Sequence, residues 1–565
     1  AQAILTQART WRTGINRFQR YPFPKPKPCM ERPSDSQEAR DTSPPVSVFV
    51  RVRPLIPTEV GSEVLSGLAL CSSRPECAPA VAFDSGKVSV GGFAGVQGQE
   101  ANNQAVFENC FAGRLQTVMC GGTASLFCYG YTGSGKTHTV LGKREERGMY
   151  YFAAQHILDE LRSLPESTGS GEHETLFLHA TACEIYNDKV FDLLGPEKLE
   201  CTLRTDESGT LQVLGPATTI RVDELEQHVS ALVGHLSDEQ QSEMAQARDR
   251  YDATGLPSAF DGTLHSTAMT RSEGLRSLSI FCPEDLESIS RSYVQQRAVG
   301  TSTQHDESSR SHAVLRMEIV TAAVLKARRA LDDARALLPA YNNALDNLTN
   351  VACKVLFEKD AYGRYNTMGS STDPIWDPQD SGGLQRKHFQ EPGLWESKHA
   401  ALLAQKRDIE ASMAGAQAEV ERARGALADL MDRGPASLGG SLVLVDLAGA
   451  DYDHRVGAQQ KESAAINKSL LALKECLRAL ANKSSQRPKF RDSKLTRIME
   501  DSLAPSAASS RRCRESTSVM VVNVSPAKQL EKMTLNTLRY GQLYAEGSRS
   551  VVAKARPSAS AGRAQ

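Results

Sequence analysis

Gly130, Tyr131, Thr132, Gly133, Ser134, Gly135, Lys136 and Thr137 fit the spacing G-x-x-x-x-G-K-[ST]. Glycines at these positions let the backbone wrap so that its N–H groups face phosphate oxygens, and a following helix adds its positive end. Lys136 supplies a mobile charge for the outer phosphates, and Thr137 a hydroxyl for Mg²⁺. The motif needs a strand before it, and the apolar run Ser125 to Tyr129 is strand-like. A nucleotide site follows.

A phosphate cradle does not specify a reaction. A second element must hold Mg²⁺ and sense the outer phosphate. The run Leu442 to Val445 is apolar and ends in Asp446, and three residues on comes Gly449, whose N–H can approach a phosphate. Alone, an apolar strand ending in Asp is commonplace; beside the cradle it is the expected partner. A third element, Ser308, Ser309, Arg310, Ser311 and His312, packs three hydroxyls around a guanidinium. In isolation it also reads as a polar turn.

These groups need a scaffold. Val46 to Arg53 alternates like a strand and stops at Pro54. From there to about residue 205 strand-like and helical runs alternate: Thr123 to Cys128 as a buried strand, Met149 to Leu164 as a helix, Leu176 to Leu194 as strand and turn. That rhythm predicts an α/β domain with a central, mostly parallel sheet flanked by helices, over residues 46–548. Two insertions interrupt it. The first, about 223–278, holds a charged helical run from Asp223 to Tyr251 and then a Gly/Ser/Thr-rich passage. The second, about 321–440, carries heptad spacing in two arms: Leu331, Leu338 and Leu345 with Ala334, Tyr341 and Leu348, then Leu402, Ile409, Ala416, Ala423 and Leu430 with Met413, Val420 and Leu427. With a Gly/Ser/Asp/Pro-rich centre between them, they predict an antiparallel coiled-coil hairpin, with an irregular packed insertion as the alternative. Pro339 should kink the first arm. Residues 1–45, interrupted by Pro22, Pro24, Pro26, Pro28, Pro44 and Pro45, read as a disordered extension or, less simply, a basic partner-binding arm. Residues 549–565 read as a basic flexible tail.

Across 565 residues the formal net charge is −1, so nothing global points to nucleic acid or a membrane surface, and an electrostatic partner must meet a local patch. No run approaches the ~20 apolar residues of a membrane helix, and no secretory pattern opens the chain. The 12 cysteines show no paired metal spacing, which suits a reducing compartment. The chain begins at Ala1, which is compatible with a fragment.

In order along the chain, these elements resemble the kinesin motor-domain family. Arg51, Val52, Arg53 and Pro54 resemble its first-strand motif, and His138 and Thr139 extend the phosphate loop in its manner. Glu184-Ile185-Tyr186-Asn187 with Asp192-Leu193-Leu194 resembles its central-strand signature. Ser308 to His312 is similar to its first switch, and Asp446 to Gly449 to its second. Ile466-Asn467-Lys468-Ser469-Leu470, Phe490 to Arg497 and Thr534 to Tyr540 complete the series. The resemblance spans about Val46 to Ala545 apart from the insertions.

The resemblance implies ATP and Mg²⁺ as cofactors, microtubules as partner, a cytoplasmic, cytoskeletal location and a filament-stimulated ATPase. Arg51, Pro54 and His138 would contact adenine, with Arg53 beside them. Lys136 and the loop backbone would hold the phosphates. Thr137, Ser309 and Asp446 would position Mg²⁺, and Ser308 and Gly449 would approach the outer phosphate and the attacking water. Lys483, Arg487, Lys489, Arg491, Lys494 and Arg497 coincide with the family's tubulin-facing loop and helix. Asn467 would help relay between nucleotide and filament. The hairpin is a candidate for coiled-coil contact with a partner.

Two positions depart from the family's pattern: His305 stands where Asn is usual, and Asp451 where Glu is usual. In the family that Glu closes on the switch Arg, here Arg310. Asp is one methylene shorter, so the expectation is a looser closure and slow or filament-dependent turnover. Two alternatives to translocation follow: a weakly hydrolysing, nucleotide-regulated binding module, and a microtubule depolymerase of the internal-motor type. The runs Leu470 to Leu480 and Thr534 to Tyr540 look like the depolymerases, but their Lys-Val-Asp tripeptide is missing from the early loop.

Overall fold

The computed structural model describes residues 46–59, 69–71, 80–83, 88–143, 146–164, 175–195, 197–205, 211–221, 268–298, 309–359, 375–376, 384–450, 458–481, 488–504 and 515–554. The first 45 residues and the helical run expected from Asp223 to Tyr251 lie outside them.

Twelve strands form the main sheet. In chain order they are β1 Val46–Val52, β2 Gly95–Gln97, β3 Thr123–Tyr129, β4 Phe177–Tyr186, β5 Lys189–Asp192, β6 Glu200–Thr205, β7 Leu211–Arg221, β8 Ala268–Gly274, β9 Ser277–Ile280, β10 His312–Val320, β11 Ser441–Asp446 and β12 Ser516–Val524. Across the sheet the order is β8-β7-β6-β5-β4-β10-β11-β3-β12-β1-β2, with β9 also on β4. The stretch β11-β3-β12-β1-β2 is joined in parallel. The joins from β11 through β10 and β4 outward are antiparallel. The Gly/Ser/Thr-rich end of the first insertion thus supplies two strands, β8 and β9.

The helices are α1 Asn103–Cys110, α2 Leu115–Met119, α3 Lys136–Val140, α4 Met149–Ser163, α5 Leu286–Ala298, α6 Ala322–Leu356, α7 Leu394–Arg433, α8 Ala458–Ala481, α9 Lys494–Leu503 and α10 Glu531–Lys554. They cover both faces, so the fold is α/β. All of β3 is buried, as a parallel strand between two helical layers must be. Its alternate residues divide between two cores. Phe127 and Tyr129 pack with Leu470 and Leu473 of α8, Leu495 of α9 and Leu538 of α10. Leu126 and Cys128 pack with Val106 of α1, Ile157 of α4 and Ile289 of α5. The carboxyl ends of the parallel strands β1, β3, β11 and β12 therefore open on one edge, where open α/β sheets place ligands.

Between β10 and β11 the chain leaves the sheet. Val324, Leu331 and Ala334 near the start of α6 pack with Val420, Ala423, Leu427 and Met431 near the end of α7. Ala344, Leu348 and Val351 pack with Leu402 and Ile409 near its start. The two helices are thus antiparallel, and their seams face each other. Leu430 departs from the heptad expectation: it is 36% exposed and Met431 takes the buried place. The helix α6 runs through Pro339. At the far end Trp395 caps a second small core with Phe357, Ile375, Trp376 and Leu384, its Nε1 donating to Leu356 O at 2.9 Å. At the near end Thr321 Oγ1 caps α6, and Arg328 grips Glu318 of β10 with bonds of 2.9 and 2.6 Å. The last helix, α10, continues to Lys554, into the stretch expected as a flexible tail. No helix breaker stands there before Pro557.

Candidate active site

The phosphate loop joins β3 to α3 at the ligand edge. Gly130 has φ 159°, and a Cβ there would lie 2.4 Å from Ser134 Oγ and 2.5 Å from Asn523 O. Only glycine fits. Tyr131 is buried and accepts from Ser525 N–H at 2.9 Å, tying the loop to the end of β12. Arg53 braces the loop from β1: its Nε donates to Gly133 O at 2.8 Å, and its other nitrogens clasp Glu59 at 2.7 and 2.6 Å. The hydrogen bond from Arg53 holds the Glu59 carboxyl below its ordinary pKa. Thr132 and Gly133 stay exposed. Lys136 is buried, its Nζ donating to Gly130 O and Tyr131 O, both at 3.0 Å. Its charge is thereby held under the loop that would carry the phosphates.

Thr137 Oγ1 donates to Asp446 Oδ2 at 2.7 Å, bringing the two expected Mg²⁺ residues together across the tips of β3 and β11. The same Oδ2 accepts from Arg297 Nη1 at 2.9 Å. Asp446 Oδ1 is buried and has no hydrogen-bond partner among the described residues. An orphaned carboxylate oxygen beside a threonine hydroxyl is an all-oxygen donor set that suits Mg²⁺, directly or through its waters. Thr137 and Asp446 would hold it.

Arg297, on α5, is the member that the sequence reading missed. It also donates from Nε to Glu184 Oε1 at 3.2 Å, and from Nη2 to Ser311 Oγ at 2.8 Å. Ser311 Oγ in turn donates to Glu184 Oε1 at 2.5 Å. Burial alone would lower the Arg297 pKa, but Tyr293, Asp446 and Glu184 together raise it above the ordinary value. Glu184 was legible only as part of a strand signature. Arg297 follows Gln296 in a polar helix with no motif to single it out.

The two segments expected as switches touch. Gly449 N–H donates to Ser309 O at 2.6 Å, and Ala450 N–H reaches back to Gly130 O at 3.3 Å. Ala448 N–H donates to His312 Nδ1 at 3.1 Å, so the ring proton sits on Nε2, 2.6 Å from Ser469 Oγ. Burial, then Arg297 and Lys136, hold the His312 pKa down to about 3, which keeps the ring neutral. Among the described residues Arg310 Nη1 donates to Glu462 Oε2 of α8 at 3.1 Å. Tyr186 OH donates to the other Glu462 oxygen at 2.8 Å. Ser308, His305 and Asp451 lie outside the described residues.

At the end expected to hold the base, Arg51 is buried. The residue is 3% exposed, and its guanidinium donates to Asn103, to Thr139 Oγ1 at 2.8 Å and to Ala101 O at 3.4 Å. Asn103 Nδ2 then donates to His138 O at 2.9 Å. Arg51 thereby links β1 to Asn103 and Thr139. His138 is half-buried near Glu146, and burial lowers its pKa. Pro54 is exposed. Of the basic cluster, Lys489 and Arg491 are exposed and Lys494 and Arg497 partly so. Lys483 and Arg487 lie outside the described residues.

Three comparisons bear on this geometry. The family model described as kinesin motor domain matches residues 51–249 and 421–546, more than half of the chain. Diatom spindle kinesin-1 of Cylindrotheca fusiformis is 43% identical over 129 residues, 21% of this chain and 19% of that protein. The kinesin-like protein KIF24 of Mus musculus is 23% identical over 459 residues, 81% of this chain and 20% of that protein. The chain thus spans about a fifth of the length of these relatives. Among solved structures, a KIF14 dimer in the two-heads-bound state, with AMP-PNP in complex with a microtubule, aligns over 89% of this chain and 94% of its own. Its identity is 19% and its TM-score 0.48.

Proposed function

Because the chain belongs to the kinesin motor-domain family, we propose that it is an ATP-dependent microtubule motor acting in the cytoplasm on the cytoskeleton. The observation that carries the reading is the Gly449 N–H held by the Ser309 carbonyl at 2.6 Å. One backbone donor stands between the two segments that flank the outer phosphate, and it serves either the carbonyl or a phosphate oxygen. Exchanging one for the other moves both segments, which is how a small local change becomes a rigid-body one.

Bound Mg²⁺·ATP supplies the cleavable outer phosphate and the cation that neutralises charge developing on it. Lys136 and the backbone of Gly130 to Gly135 hold the phosphates. Thr137 and Asp446 hold the cation, and Arg297 orients Asp446. Ser309 would join them at the cation, and Ser308 and Gly449 would approach the outer phosphate and the attacking water. Pro54 and His138 would flank the base, with Arg51 supporting His138 through Asn103. Movement passes to α8 along two contacts, His312 to Ser469 and Arg310 to Glu462. After α8 comes the basic loop, and Lys483, Arg487, Lys489, Arg491, Lys494 and Arg497 would grip the acidic filament surface.

Microtubule co-sedimentation in ATP, ADP and a non-hydrolysable analogue tests the reading. Retention should be strongest with the analogue and weakest with ADP. Equal retention in all three states overturns the coupling. Shortening of filaments in ATP without gliding identifies the depolymerase alternative.

A further inference from the structure

Four charged side chains alternate through the protein beneath the switches. Lys198 Nζ lies 2.7 Å from Glu184 Oε2, Arg297 Nε donates to Glu184 Oε1 at 3.2 Å, and Arg297 Nη1 donates to Asp446 Oδ2 at 2.9 Å. Glu184 has no exposed side-chain surface, Arg297 4%, Asp446 1% and Lys198 14%. Two carboxylates and two cations therefore share one desolvated site, where a missing partner leaves a buried charge uncompensated.

We propose that Lys198 is a positioning residue for the reaction assigned above: by neutralising Glu184 it leaves Arg297 available to hold Asp446 against Thr137. Without the ammonium, the buried Glu184 carboxylate competes with Asp446 for Arg297. The approach of Lys198 is built, not incidental. Its ammonium lies over the Phe191 ring at 5.3 Å and the Tyr186 ring at 6.0 Å, which confine it to the inner side of its loop. The same loop is fastened to α5 by Gln296 Nε2, which donates to Gly195 O at 2.9 Å. Gln296 is the chain neighbour of Arg297, so the two cations that flank Glu184 come from segments tied together one residue away.

The inference rests on the ATPase reading, and a double-mutant cycle tests it. Lys198→Met leaves the site one negative charge in excess, and Glu184→Gln leaves it one positive charge in excess. The two together restore neutrality, and glutamine still accepts from Arg297 and Ser311. Steady-state ATP turnover should fall at least tenfold in each single variant with KM for ATP changed less than threefold, and recover to within about threefold of wild type in the double variant. Lys198→Arg should also recover. Thermal unfolding without nucleotide should follow the same order, with the double variant above the Lys198→Met melting temperature. Turnover of Lys198→Met within twofold of wild type overturns the proposal. So does a double variant as impaired as, or more impaired than, the worse single. An inactive wild-type chain would instead refute the ATPase reading, and the melting series would still decide whether the four charges are balanced as proposed.

Discussion

Gly449 sits against Thr132 so closely that a Cβ at this position would lie 2.4 Å from Thr132 Oγ1 and 3.0 Å from Thr132 N. The phosphate loop and the second switch are therefore in contact through a position that tolerates no side chain. Gly449→Ala should push the two apart and break the N–H contact to Ser309. Misplacement of about an ångström costs on the order of a hundredfold in rate. Nucleotide binding, measured with a fluorescent analogue, should survive while turnover falls by about that factor; unchanged turnover would show that the contact is not used.

Lys136 carries the buried charge beneath the loop. Lys136→Ala should weaken ATP affinity by about 2–3 kcal/mol, the scale of a lost charge-assisted contact, or tens- to a hundredfold in Kd. Isothermal titration measures it directly. Filament retention in this variant should no longer respond to added ATP.

His312 gives an acid limb to stability. Its folded pKa, about 3, lies below the ordinary histidine value of 6.5. Below pH 6.5 the unfolded chain takes up a proton that the folded ring refuses. Its contribution is therefore fully present above pH 6.5 and is lost as pH falls toward 3, at up to about 1.4 kcal/mol per pH unit. Urea unfolding at pH 7.5, 6.0 and 5.0 should show a steeper loss in wild type than in His312→Gln; equal slopes would contradict this.

Arg310 and Glu462 join the first switch to α8 while both are less than a fifth exposed. Glu462→Ala should leave Arg310 and Tyr186 without their shared acceptor and reduce filament-stimulated turnover several-fold, with basal turnover less affected. The charge-reversed pair Arg310→Glu with Glu462→Arg should recover part of the loss. Equal loss of basal and stimulated rates would place the contact outside the relay.

Trp395 closes the far core of the hairpin, remote from the site. Trp395→Ala should cost about 3–5 kcal/mol locally. Hydrogen exchange should rise in α6 and α7 around Leu356 and Leu402, with ATP turnover within twofold of wild type. Loss of turnover would mean that order at the hairpin tip reaches the switch strands.

Much of the site was legible because its residues stand in short, local patterns. Gly130 to Thr137 needs a fixed spacing to wrap a phosphate, and Asp446 needs only an apolar strand before it. Arg297, Glu462 and Lys198 were not legible for the opposite reason: each meets its partner through the sheet, from helices and loops whose sequence near them is ordinary. The motif at Arg51 gives a position on β1 but not the acceptors, Asn103 and Thr139, that its guanidinium finds. In the fold, the alternation of strand-like and helical runs pointed to an α/β sheet. The antiparallel join of β7 and β8 did not announce itself, because it pairs residues far apart along the chain, such as Arg221 with Ala268. Leu430 shows the limit of heptad counting: a one-residue drift brings Met431 into the seam instead.

The helical hairpin changes what kind of pairing β10 and β11 make. Val314 lies beside Val445 and Leu315 beside Leu444, yet residues 321–440 intervene along the chain. A tight turn would have made this ladder a nearby, rapid event; here it is a distant one, of the sort that slows acquisition of the native topology. A slack connection of that length would also carry an entropic closure cost, modest but growing with the logarithm of its length. Two helices that zip along their own seam return the chain to within reach of its starting point, with Gly439 N–H bonded to Ile319 O at 2.9 Å. Closure of α6 on α7 thus shortens the effective path between the strand beginning at His312 and the one ending in Asp446.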